Sequence, residues 1–223
     1  MDKHLIYLSQ LEITSYVPRL QKSKNIVAQQ QAEYADCEAS WQNLQNQIKN
    51  CQKCDLCITR KNTVFGAGNP RAKLMLIGEA PGSTEDQRGE PFVGQAGQLL
   101  DKMIAAIGQS RETVFITNIL KCRPPNNRDP LPSEVAQCFS YLLQQIEWIK
   151  PKLILALGRI SSQNLLNTTA SLAELRGQTF YFSEQKIPLI VSYHPAYLLR
   201  NPSDKRNAWA DLQRAQSMLL ELV

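Results

Sequence analysis

Hydrophobic positions change their rhythm along this chain, and the changes mark out its elements. Leu74-Met75-Leu76-Ile77 is an unbroken apolar run of strand length that ends at Gly78. A run without polar alternation suits a central strand covered on both faces. Leu99, Leu100, Met103, Ile104 and Ile107 then recur at helical spacing and stop at Gly108, which predicts a helix with a glycine at its end. Val114 to Leu120 reads as the next strand, and Ser133-Glu134 open a helix whose apolar face runs through Val135, Phe139, Leu142, Leu143 and Ile146. Leu153 to Leu157, closed by Gly158, is the third strand. After a short helix around Ile160 to Leu166 come two further strand-like runs, Thr179 to Phe182 and Pro188 to Tyr193. A closing helix over 204–222 turns Trp209, Leu212, Ala215 and Leu219 inward.

Strands alternating with helical periods predict an α/β fold with a mostly parallel sheet between helices. In open sheets of this kind the C-terminal edge gathers the loops and helix N-termini, so ligands bind there. Three conspicuous stretches fall at strand ends: Gly78-Glu79-Ala80-Pro81-Gly82, Thr117-Asn118, and His194-Pro195-Ala196-Tyr197-Leu198-Leu199-Arg200.

Residues 1–50 follow another pattern. They contain Gln29-Gln30-Gln31 and no glycine, and their apolar spacing around Leu5, Leu8, Leu11 and Val17 is patchy. This predicts a loosely attached extension, partly helical or disordered, ahead of a domain over 51–223. A short amphipathic stretch around Trp41, Leu44 and Ile48 leads into the core.

At 223 residues and 43% hydrophobic content the chain can bury one proper core. It has no apolar run of about 18 residues to span a bilayer and no secretory leader pattern, so the expectation is a cytoplasmic protein without a membrane partner. Net charge is +5, and the excess lies beyond residue 50, because residues 1–50 hold equal numbers of basic and acidic side chains. That bias suits a polyanion such as nucleic acid, and it equally suits ordinary solubility.

Six cysteines in a reducing compartment read as metal ligands or buried thiols rather than disulfides. Cys51-Gln52-Lys53-Cys54 has the two-residue spacing that lets two thiolates share a metal centre, and Cys57 repeats the interval. Cys122, within Lys121-Cys122-Arg123-Pro124-Pro125, and Cys138 lie far along the chain. A zinc site usually shows a second close pair, and a ferredoxin a nearby Cys-Pro; neither is present. Spacing alone leaves metal, cluster and buried thiols open.

Together, Gly78-Glu79-Ala80-Pro81-Gly82, Glu85-Asp86 with Gly89-Glu90-Pro91-Phe92-Val93-Gly94, Thr117-Asn118 through Pro125, and His194 through Arg200 resemble the family 4 uracil-DNA glycosylases, the iron–sulfur branch of that superfamily. The resemblance runs from Cys51 to about Leu212. It implies a four-stranded parallel sheet between helices, removal of uracil from single- or double-stranded DNA at the start of base-excision repair, and no catalytic divalent metal. It also implies a [4Fe-4S] cluster on Cys51, Cys54, Cys122 and Cys138, leaving Cys37 and Cys57 aside. The uracil pocket falls on Gly78, Glu79, Ala80, Phe92, Asn118 and His194.

The chemistry of those residues suits the task. An enzyme cutting between base and sugar takes the nucleotide out of the stack and binds it by face and edge. Phe92 can stack on the flipped ring. The Asn118 amide complements uracil O4 and N3–H, a pattern that cytosine reverses. His194 can donate to O2 as the base leaves as an anion. Glu79 is the first candidate for placing the attacking water and Asn127 the second, while Glu85 is a candidate for crowding out the methyl of thymine. Leu198 and Leu199 are candidates for the gap left in the duplex, and Arg200, Lys205, Arg206, Lys121, Arg123 and Arg128 for phosphate contacts. The expected protein is a monomer. A DNA-binding module without catalysis and a ferredoxin-type electron carrier are the rival readings.

Overall fold

The computed structural model describes residues 39–222. The chain divides into two compact units at Gln42. Of the first, only residues 39–42 are described; they begin a helix, α1, that covers residues 39–49. All else below belongs to the second unit. The expectations for Leu5, Leu8, Leu11, Val17, the glutamine run and Cys37 lie outside the described residues, while Leu44 and Ile48 of α1 are buried.

In chain order the elements are α2 (Leu56–Thr59), β1 (Ala67–Gly68), β2 (Leu74–Gly78), α3 (Ser83–Arg88), α4 (Gln95–Ala105), β3 (Val114–Asn118), α5 (Pro132–Ile149), β4 (Leu153–Leu157), α6 (Arg159–Leu166), α7 (Leu172–Leu175), β5 (Thr179–Phe182), β6 (Ile187–Ser192), α8 (Pro195–Arg200) and α9 (Lys205–Glu221). Short 3-10 turns occupy Pro125–Asn127 and Pro202–Asp204.

The strands form one six-stranded sheet in the order β1-β3-β2-β4-β6-β5. The four inner strands are parallel, and the edge strands β1 and β5 are antiparallel to their neighbours. The sheet is therefore six-stranded rather than four-stranded, with the four expected parallel strands at its centre. Strand β1 has only two residues, too few for any periodicity to reveal. Strand β5 returns as a hairpin with β6, its turn carried by Ser183 and Lys186 at positive φ.

Every residue of β2, β3 and β4 is buried, which explains their unbroken apolar composition. Leu74, Leu76, Ile116, Leu153 and Leu155 face a layer formed by α4 and α9, through Leu100, Ile104, Leu212 and Ala215. The pleat turns alternate residues to the opposite face. There Thr117 Oγ1 donates to Gln145 Oε1 of α5 at 3.3 Å.

Two expected inward residues point outward. Leu143 is 43% exposed, because α5 buries the face of Cys138, Tyr141, Leu142, Gln145 and Ile146 instead. Trp209 is 40% exposed, its place inside α9 taken by Ala208 and Leu212. Among the described residues no helix is long and apolar enough to cross a membrane.

Candidate active site

Parallel register brings the strand ends to one edge. Gly78 pairs with Asn118 and Leu157 with Ser192, so the loops that leave β2, β3, β4 and β6 open on the same side of the sheet. They enclose a cleft of about 400 Å³ lined by Glu79, Ala80, Glu85, Phe92, Asn118, Asn127, Asp129, His194, Tyr197 and Arg200, among others. That size suits a single small ring system.

Two glycines let the walls close. A Cβ on Gly78 would collide with Asn118 Oδ1 and lie 2.6 Å from Phe92 Cζ, so only glycine leaves room for both side chains. Gly158, at φ 93°, sits where a Cβ would come within 2.9 Å of His194 Cβ. Its N–H donates to Ser192 O at 2.8 Å, drawing the end of β4 against the segment that carries His194.

Asn118 is 2% exposed, and its Oδ1 meets no hydrogen-bond donor among the described residues. A buried acceptor without a partner costs free energy unless something fills it, so this atom calls for a donor from a bound molecule. The Phe92 ring is tilted at 33° to the His194 ring, with centroids 5.5 Å apart. Phe92 itself holds a left-handed φ of 53°. His194 caps α8: its Nδ1 accepts the backbone N–H of Ala196 at 3.1 Å. The ring proton therefore sits on Nε2. Burial, helped by the charge of Arg200, pushes the imidazole down to about 4, so it is neutral near pH 7.

Glu79 faces the opposite pressure. Burial first, then the nearby Asp129, push its carboxyl up to about 7, with Arg159 working against them. Asp129 in turn pairs with Arg159 at 2.6 Å. Asn127 lies on the exposed rim, at φ 54°, where its Oδ1 accepts from Arg123 Nε at 2.8 Å. The Glu85 carboxylate is committed to the backbone: Oε1 accepts from Val93 N and Gly94 N, each at 2.9 Å. Ala80 offers no side-chain chemistry and lines the wall.

The structure separates the two leucines. Leu198 is 1% exposed and packed in the core, so it is not available to enter a duplex; Leu199, 43% exposed, is the one presented to solvent. Among the basic residues, Arg200, Lys205 and Arg206 are exposed. Lys121 is not a surface cation. It is 1% exposed, and its Nζ donates to Thr117 Oγ1, Asn118 O and Gln145 Oε1 at 2.6–2.8 Å. Burial lowers its pKa to about 7. Arg128 is engaged by Glu134 through both carboxylate oxygens.

Cys51, Cys54, Cys122 and Cys138 line one common cavity and form no disulfide. Among the described residues no three His, Cys, Asp or Glu side chains are placed to hold a metal ion. Two donors are aimed at the sulfurs: Arg60 Nη1 at Cys122 Sγ, 3.1 Å, and Lys121 N at Cys138 Sγ, 3.3 Å. Burial pushes the Cys122 thiol up to about 11, against the pull of Arg60.

The burial of Lys121 and the grip of Arg111 on the Phe92 loop carry no mark in the sequence. Nothing in the run Ser110-Arg111-Glu112 distinguishes this arginine from a solvated one.

Comparison with known proteins shows the family. The family model of the uracil DNA glycosylase superfamily matches residues 65–213. The chain is 44% identical over 174 residues to a type-4 uracil-DNA glycosylase of Archaeoglobus fulgidus, covering 75% of this chain and 87% of the relative. It is 45% identical to the type-4 enzyme of Saccharolobus solfataricus, covering 78% of this chain and 84% of the relative. Identity to that of Pyrobaculum aerophilum is also 45%, covering 77% and 90%.

Proposed function

Since the chain belongs to the type-4 uracil-DNA glycosylases, we propose that it hydrolyses the N-glycosidic bond of deoxyuridine in DNA, releasing uracil and leaving an abasic site for base-excision repair. The observation that carries the reading of the pocket is the buried Oδ1 of Asn118, beside Gly78 and the Phe92 ring and without a donor among the described residues. Uracil N3–H supplies the donor this atom lacks, and the amide NH₂ donates to O4. Cytosine presents an acceptor at position 3 and a donor at position 4, so it leaves both interactions unmade.

The flipped base stacks on Phe92, and the neutral His194 donates from Nε2 to O2. As the N1–C1′ bond breaks, negative charge spreads onto the uracil oxygens, and a preorganised neutral donor stabilises it there. The sugar becomes electron-poor at C1′. Water adds to that carbon and loses its proton to Glu79, whose raised pKa suits a base working near neutrality. The uracil anion then takes up a proton. Asn127, on the rim and held by Arg123, is assigned to DNA contact rather than to water.

The four cysteines suit a [4Fe-4S] cluster. Their donor set is all sulfur, they line one cavity, the N–H groups of Arg60 and Lys121 point at two of the sulfurs where they would stabilise thiolates, and a cluster would take one sulfur on each of its irons rather than several on a single ion. A cluster bound there supplies a cross-link joining the segment after α1, the loop after β3 and α5. That link shapes the Arg123–Arg128 loop, from which Arg123 meets the phosphates. Leu199 fills the gap in the duplex, and Arg200, Lys205 and Arg206 meet the backbone. The same proposal has the protein acting as a monomer in the cytoplasm.

The test uses uracil-containing single- and double-stranded oligonucleotides with alkali treatment. Strand breaks at the uracil after alkali are expected. Their absence with fully metallated protein overturns the proposal in favour of a DNA-binding module.

A further inference from the structure

Phe92 presents a problem that the pocket does not solve by itself. Its ring forms a wall of the cleft, yet its backbone stands at φ 53°, a region that a residue with a bulky side chain keeps only when its neighbours impose it. The peptide groups on either side are held by opposite charges. Glu85 Oε1 accepts the N–H groups of Val93 and Gly94 at 2.9 Å. From the other side Arg111 Nη1 donates to Pro91 O at 3.2 Å, and Nη2 donates to Phe92 O. Arg111 Nε is anchored on Asp101 Oδ1 of α4 at 2.7 Å. Gly97 completes the seat: a Cβ there would collide with the Phe92 carbonyl, so only a glycine lets α4 pass this close.

We propose that Arg111 is a positioning residue for base release, holding the Phe92 carbonyl so that the ring is set as a stacking platform before the base arrives. The inference rests on the reading of Phe92 as the stacking residue. The guanidinium suits the task because its planar fork reaches two carbonyls and a carboxylate at once. Arg111 lies in the turn between α4 and β3, and its side chain is 30% exposed. It can therefore be changed with modest risk to the core. A ring that must find its orientation during each encounter loses part of the advantage of prior alignment.

The experiment compares single-turnover uracil release by the intact protein and by Arg111→Gln, Arg111→Lys, Phe92→Ala and the double variant Arg111→Gln/Phe92→Ala. Arg111→Gln is expected to slow release about ten-fold at saturating DNA, with affinity for abasic product DNA unchanged, and Arg111→Lys to recover part of the loss. In the Phe92→Ala background the same Arg111→Gln change is expected to alter the rate less than about two-fold, because nothing remains to be positioned. A purely structural role gives the same loss in both backgrounds, and that result, or an unchanged rate in Arg111→Gln, overturns the proposal. If Phe92→Ala alone releases uracil at the full rate, the stacking reading fails instead. Should Arg111→Gln not fold, Asp101→Asn frees the guanidinium from its anchor and is expected to show the same dependence on Phe92.

Discussion

His194 Nδ1 accepts the backbone N–H of Ala196 at 3.1 Å, so the residue that caps α8 has its tautomer chosen by the helix it caps. The proton is left on Nε2, and burial together with Arg200 holds the imidazole near 4. The cation forms only as pH falls through that value; from pH 5 to 8 the ring is a neutral donor. His194→Ala should slow base release about 10²–10³-fold, while His194→Gln, which keeps an N–H, retains more of the rate. Nitrogen NMR of the ring should show no titration between pH 5 and 8. A titration near 6.5 contradicts the neutral-donor account.

Glu79 is raised to about 7 by burial and by Asp129, and its working form as a base is the carboxylate. Release should therefore rise with pH through about 7 and level off above it. Glu79→Gln should flatten that rise and cost about 10²-fold or more. Stability runs the other way. A carboxyl raised in the folded state favours folding below its unfolded value, and this contribution is lost as pH rises through 7. Glu79→Gln should consequently raise the thermal midpoint at pH 8 and leave it nearly unchanged at pH 4. A pH–rate profile that keeps its rise in Glu79→Gln removes this residue from the role.

Leu198 and Leu199 are neighbours in sequence with opposite surroundings. Leu198→Ala should cost about 2–5 kcal/mol of stability through the cavity it leaves, with the rate per folded molecule little changed. Leu199→Ala should leave the midpoint in place and slow release from double-stranded DNA about ten-fold, with a smaller effect on single strands, where no gap needs filling. Equal effects on both substrates remove Leu199 from the gap.

These contrasts show what a linear sequence can carry. That Gly78, Asn118 and His194 meet at one edge was legible because Gly78 and Asn118 end their strands and His194 follows closely on β6, and parallel pairing brings strand ends together wherever the intervening helices lie. The four inner strands were legible from unbroken apolar runs. The two-residue β1 carries no period at all, and its pairing with β3 depends on tertiary contacts. Lys121 and Arg111 were hidden for a different reason. A lysine beside Cys122 and an arginine in a turn both look like solvated charges, and only the assembled structure shows the oxygens waiting for them. Leu198 and Leu199 fail the same way, because a six-residue helix does not run long enough to declare its buried face.

The cysteines yield the prediction with the widest reach, since three separate elements depend on it. Cys51 and Cys54 follow α1, Cys122 follows β3 and Cys138 lies on α5. A [4Fe-4S] cluster requires four iron and four sulfide per chain in anaerobically purified protein, with a broad visible absorption. Cys122→Ser and Cys138→Ser should lose both, whereas Cys57→Ser should keep them. Because the cross-link is proposed to shape the Arg123–Arg128 loop, protein stripped of iron under mild conditions should keep the circular dichroism of its sheet and bind DNA more weakly. One zinc per chain without sulfide ends the cluster reading. Full DNA affinity in stripped, folded protein leaves the cluster in place but ends its role in ordering that loop, and the Asn127–Arg123 hydrogen bond then has to hold the loop without it.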